Sequence, residues 1–283
     1  MPEAPALFHD LPLAERLTLA RRGTAHYTGQ VALLEAEDFD APTALPGWNR
    51  KALIAHVGYN AAALCNLMHW AETGEETPMY ASPDARAEEI EYGATLRADA
   101  LRNLNDHTVA RLDAAWRDAS YDAWDAEVLT AQGRTVPAAE TLWMRSREVW
   151  IHAVDLGCRA SFTDIPQVVL TTLLHEIPGK WRGKGAGAGF VLLDDATGER
   201  VEASPADAEH PETVVAGSLA GLVRWASGRG AQGVRLAHAG AALSGPAAGA
   251  TGTGTGAGTG AAAGSASPDR VGESQVPEPP RWL

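Results

Sequence analysis

The chain has 283 residues, a formal net charge of −13 and 45% hydrophobic residues. That length suits one large domain or two ordinary ones with a real core. The acidity excludes a nucleic-acid backbone or an anionic membrane surface as partner, because both require a basic patch; it leaves room for a small anionic substrate, which needs only one or two local arginines.

Asp10 followed by Pro12 opens a periodic run, LAERLTLARRGTAHYTGQVALLEAE, that predicts a first helix. PGWNRKALIAHVGYNAAALCNLMHWAE predicts a second, with Asn49 as its cap. From Ala52 to Ala71 this segment contains no Asp, Glu, Lys or Arg. A helix without charge on any side is a buried one, and His56, Asn60, Asn66 and His69 argue against a bilayer span. Ser82-Pro83-Asp84 starts a third helical stretch that runs in pieces to Trp116. Pro137 opens a fourth, AAETLWMRSREVWIHAVDLG, which Gly157 closes. Four long helices with few strand signals between them predict a helical bundle over residues 1–161.

The second half changes character. IPQVVLTTLLHEIPGKW reads as a helix, FVLLDD, ERVEA and ETVVAG as short strands, and SLAGLVRWASGRG as a helix capped by Ser218. A small α/β domain over 162–238 is expected, so the chain as a whole is α+β. Residues 239–275 are dominated by Gly, Ala, Thr and Ser and read as a flexible insertion. The final segment, 276–283 (VPEPPRWL), reads as a tail that docks back. The N-terminal MPEAPALFHD lacks the basic and apolar regions of a secretory signal. Cys65 and Cys158 have neither zinc-finger nor redox spacing. A cytoplasmic, monomeric protein is expected.

The side chains with chemistry cluster in pattern rather than in number. Glu148 and His152 are four residues apart on a predicted helix, about 40° apart around its axis, and Asp155 falls about 20° to the other side of Glu148. That stripe can present two metal ligands, with Asp155 behind as the acid that orients an imidazole. By itself the pair is weak evidence, since Glu–His pairs at this spacing are common on surfaces. His56, in the uncharged helix, is either a core histidine bonded to a carbonyl or a third ligand facing the pair. Two nitrogens and one oxygen suit zinc and leave one position open. Cys65, nine residues from His56, falls on the opposite side of that helix. In SLAGLVRWASGRG, Arg224 lies in the helix and Arg229 between two glycines in the turn after it; either is a solvated charge or a fork for a carboxylate.

Five segments carry a resemblance. FHDLPLAERLTLAR, LIAHVGYNAAALCNLMHWAETGEETPMY, LTAQGRTVPAAETLWMRSREVWIHAVDLG, SLAGLVRWASGRG and VPEPPRWL look like mycothiol-dependent maleylpyruvate isomerase. The first three resemble more broadly the DinB-type four-helix metal-binding proteins. The resemblance implies zinc held at His56, Glu148 and His152, and a sterol-carrier-like C-terminal domain contributing an essential arginine, placed at Arg229 with Arg224 as second choice. It also implies conversion of maleylpyruvate to fumarylpyruvate, a step of gentisate breakdown, with mycothiol as cofactor. A thiolate that adds to the C=C bond allows rotation, and elimination restores the alkene. The alternative is a mycothiol S-transferase acting on electrophiles, which shares the metal ligands and has no use for the arginine.

Overall fold

The computed structural model describes residues 6–82, 84–237 and 276–282; the expected insertion at 239–275 lies outside them. The chain forms two compact units, residues 1–173 and 174–283.

In the first unit, helices α1 (Leu13–Ala32), α2 (Arg50–Thr73), α4 (Ala98–Asp118) and α5 (Glu140–Asp155) make the bundle, and a shorter α3 (Ala85–Ala94) lies on α2. Trp143, Tyr27, Leu53, Ile54, Leu64 and Leu67 are among the fully buried side chains. Backbones approach closely at two glycines: a Cβ on Gly93 would meet the Ala55 Cβ at 2.3 Å, and one on Gly23 would meet the Trp150 indole nitrogen at 2.6 Å. Glycine there lets α3 lie against α2, and α1 against α5. α2 is mostly buried from Leu53 to Met68, as the lack of charge there predicts. Asn49 accepts the Ala52 N–H at 2.9 Å and so starts it, and Gly74, at φ 73°, ends it.

Three details differ from the sequence reading. α1 stops at Ala32, and the chain then makes a short 3₁₀ turn, Ala36–Asp40, that buries Phe39. The third stretch, expected to run in pieces to Trp116, forms α3 and α4 and continues to Asp118. Pro137 does not open α5: it lies in β2 (Thr135–Pro137), which pairs antiparallel with β1 (Glu127–Leu129). The turn between these strands uses Gly133 at φ 76°. Three-residue strands carry too little alternation to be read from sequence.

α6 (Gln167–Gly183) begins in the first unit and ends in the second. The second unit is built on a four-stranded sheet ordered β4 (Arg200–Glu202), β3 (Phe190–Asp194), β5 (Thr213–Gly217), β6 (Val234–Ala237). β3 and β5 are parallel and the outer pairs antiparallel. α7 (Leu219–Ala226) packs on the sheet, capped by Ser218, whose hydroxyl accepts the Gly221 N–H at 3.2 Å. Trp181, Trp225 and Phe190 form an aromatic cluster with ring centroids 5.5 to 6.3 Å apart. The described tail residues lie against this unit: the Trp225 indole N–H donates to the Pro277 carbonyl at 2.8 Å, Lys184 Nζ donates to the Trp282 carbonyl at 3.1 Å, and the Trp282 side chain is buried.

Candidate metal centre

Two cationic side chains hold α2 and α5 in register. Arg50, at the start of α2, donates from Nε to the Leu156 carbonyl at 2.8 Å and from Nη2 to the Gly157 carbonyl at 3.3 Å. It thereby caps the carbonyl end of α5, where the helix dipole favours a cation. Arg145, fully buried on α5, donates from Nη1 to the Val57 carbonyl at 2.8 Å and to Asn60 Oδ1 at 3.2 Å, both on α2. Between these two attachments His56 of α2 faces Glu148 and His152 of α5.

Glu148 Oε2 is the meeting point. His56 Nε2 and His152 Nε2 each lie 3.0 Å from it, and the two imidazoles are nearly perpendicular, with centroids 5.1 Å apart. One donor atom from each residue falls within 4.8 Å of the others. Among the described residues this is the one group of three or more His, Cys, Asp or Glu side chains so placed. Asp155, fully buried, lies behind His152, with Oδ2 2.9 Å from Nδ1. That bond fixes the ring so that Nε2 faces the centre. The edge of Trp48 covers His56 at 5.4 Å.

The electrostatics follow from burial and mutual charge. Burial lowers the His56 pKa, outweighing the opposing pull of Glu148. Burial also acts against a charged His152, yet hydrogen bonds and charge from Asp155 and Glu148 win and raise its pKa to about 9. For Glu148, burial favours the neutral acid, but the two histidines together hold its carboxyl well below the usual range. A carboxylate that stays ionised inside a protein, fronted by two imidazole nitrogens, is a donor set that suits zinc and leaves room for a further ligand. The residues present therefore fit a divalent ion.

Two neighbours escaped the sequence reading. Arg86, in the first turn of α3, places Nη2 3.3 Å from His56 Nδ1. Tyr80 shares a side-chain hydrogen bond with Arg86, and burial pushes its phenol up to about 12 against the pull of that guanidinium. The start of α3 was legible at Ser82, whose hydroxyl accepts the Ala85 N–H at 3.1 Å. Which way Arg86 points was not, because no spacing relates it to His56.

Arg224 and Arg229 form a separate arrangement in the second unit. The Arg224 side chain donates from Nε to the Arg229 carbonyl at 2.9 Å, and the Arg229 N–H donates to the Arg224 carbonyl at 2.9 Å. Gly228 at φ 79° and Gly230 at φ 98° provide the turn that carries Arg229. Arg224 thus supports the turn that carries Arg229, whose own Nη1 donates to the Ser227 carbonyl at 2.6 Å. Cys65 is buried on α2, and burial raises its thiol pKa, the reverse of what a working thiolate needs.

Fold and site together define a helical bundle with a His–Glu–His centre, followed by a small α/β unit. A family model described as "Mycothiol maleylpyruvate isomerase N-terminal domain" matches residues 20–157. A solved structure described as the crystal structure of the mycothiol-dependent maleylpyruvate isomerase is 64% identical, with a TM-score of 0.80, over 82% of this chain and 95% of its own. A histidine-to-alanine mutant of that enzyme matches with the same values. No curated protein matches significantly. The chain belongs to the mycothiol-dependent maleylpyruvate isomerase family, and is an enzyme of that class.

Proposed function

We propose that the chain converts maleylpyruvate to fumarylpyruvate, a step of gentisate breakdown, with mycothiol as cofactor and zinc held by His56, Glu148 and His152. The 64% identity over 82% of the chain to a solved isomerase carries this reading, and the convergence of the three side chains supports its metal. The ion would lower the pKa of a thiol bound at its open position, and the thiol supplies the reversible addition that lets a C=C bond rotate.

The chain's own residues do the rest. Glu148 contributes a carboxylate that remains ionised, and Asp155 holds His152 with Nε2 facing the centre. Trp48 packs nearly perpendicular to the His56 ring, with centroids 5.4 Å apart. Arg229, on its glycine-flanked turn, binds a carboxylate of the substrate or the negative charge that develops beside the reacting carbon; Arg224 keeps that turn in shape. In this division of labour residues 1–161 hold the metal, 162–238 supply the arginine, 239–275 are an insertion and 276–283 a docking tail. The enzyme acts as a cytoplasmic monomer on small molecules, with neither nucleic acid nor membrane as partner, in keeping with its net charge of −13.

Incubation of maleylpyruvate with enzyme and a substoichiometric amount of mycothiol tests the reading. Many molecules of trans product per thiol are expected. One adduct per thiol, with the thiol consumed, identifies an S-transferase and overturns it.

A further inference from the structure

His56 cannot keep both of its present partners and also take up a metal ion at Nε2. A guanidinium only donates hydrogen bonds, so the 3.3 Å contact from Arg86 Nη2 makes His56 Nδ1 an acceptor. The single proton of the neutral ring then sits on Nε2 and is donated to Glu148 Oε2, 3.0 Å away. If His56 were to hold a metal ion through Nε2, its single ring proton would have to sit on Nδ1. Nδ1–H would then face a guanidinium N–H, donor against donor, so Arg86 has to leave.

Where Arg86 goes is constrained. α3 packs closely on α2 where Gly93 meets Ala55, so a change of the Arg86 side-chain rotamer is the smallest movement that releases it. Tyr80 remains a partner beside it. No ion pair to a carboxylate occupies its guanidinium among the described residues. Glu148 and Asp155 are already engaged by the two histidines. A freed guanidinium at the edge of the metal centre is a fork without a carboxylate, and the proposed substrate brings two carboxylates.

We infer that Arg86 is a substrate-binding residue: metal loading releases its guanidinium from His56, and the released cation takes one carboxylate of the unsaturated diacid. The inference rests on the metal-dependent reading above.

Two binding measurements test it, using the full chain and the variants Arg86→Ala and Arg86→Lys. Zinc is first titrated into chelator-stripped protein by chelator competition. Arg86→Ala is expected to bind zinc as tightly as the parent or up to ~10-fold more tightly, since one hydrogen bond fewer has to break. Maleate, a simple cis-unsaturated diacid, is then titrated into the zinc-loaded proteins. Affinity should fall ~10- to 100-fold in Arg86→Ala, the range for one charge-assisted carboxylate contact, and recover in part in Arg86→Lys. Turnover of maleylpyruvate should show the same pattern as a raised KM with kcat changed less than ~3-fold. Normal zinc binding with unchanged maleate affinity in Arg86→Ala overturns the inference alone. Loss of zinc binding in Arg86→Ala overturns it too, because Arg86 would then support the ligand instead of yielding to the ion. A parent protein that takes up no zinc at the centre overturns the metal reading and this inference with it.

Discussion

At the scale of single residues, the proposed metal ion would compete with protons for the nitrogens of the centre. The folded pKa of His152, about 9, lies above the ordinary 6.5. In metal-free protein its protonation therefore adds stability that is fully present below pH 6.5 and is lost as pH rises through 9. A fall on the order of 2–3 kcal/mol is expected between those values, measurable by urea unfolding of stripped protein. His152→Gln should flatten the profile, and a parent profile already flat from pH 6.5 to 9 would contradict the assignment. The same proton has to leave when zinc arrives. Calorimetric titration at pH 7 in buffers of different ionisation enthalpy should show about one proton released per ion bound. No release would mean that His152 is not a ligand.

At the scale of elements, the centre exists because α2 and α5 are fixed against each other. Arg50 makes one attachment, to two carbonyls at the end of α5. Arg50→Ala should lower stability by about 1–3 kcal/mol, since it uncaps α5 and leaves those carbonyls without their donor. Zinc affinity should fall with it although no ligand is touched. Unchanged zinc affinity, measured alongside the melting temperature, would show that the register of the helices does not depend on this contact. Much of this was legible beforehand. The absence of charge from Ala52 to Ala71 identified α2 as buried, and helical spacing put Glu148, His152 and Asp155 on one stripe. The role of Arg50 was not legible: in sequence it is a cation beside a cap, and only the return of the chain at Gly157 gives it carbonyls to bind. Strands β1, β2 and β6 were missed for a different reason, because strands of three or four residues are too short for their alternation to leave a local signal.

At the scale of the whole molecule, the three proposed metal ligands lie in the first unit and the two candidate arginines in the second. Identity of 64% to a solved isomerase over most of both chains places the sequence in its family; periodicity and composition alone reached a helical bundle, an α/β domain and a weak pair of ligands. Arg224 and Arg229, five residues apart on one turn, are expected to differ in effect. Arg229→Ala should retain zinc and lose turnover ~10²-fold or more, the scale for removing one donor at developing charge. Arg224→Ala should act more weakly, through the turn it supports. The reverse ranking in steady-state kinetics would move the substrate contact to Arg224.

The central claim, that three side chains from two helices form a working metal centre, is tested most directly by titrating zinc into chelator-stripped enzyme while following maleylpyruvate turnover in the presence of mycothiol. Activity should start near zero, rise in proportion to added zinc and level off at about one equivalent per chain, and His56→Ala, Glu148→Ala and His152→Ala should each stay flat. Full activity in the stripped enzyme, or in any of the three variants, would contradict it.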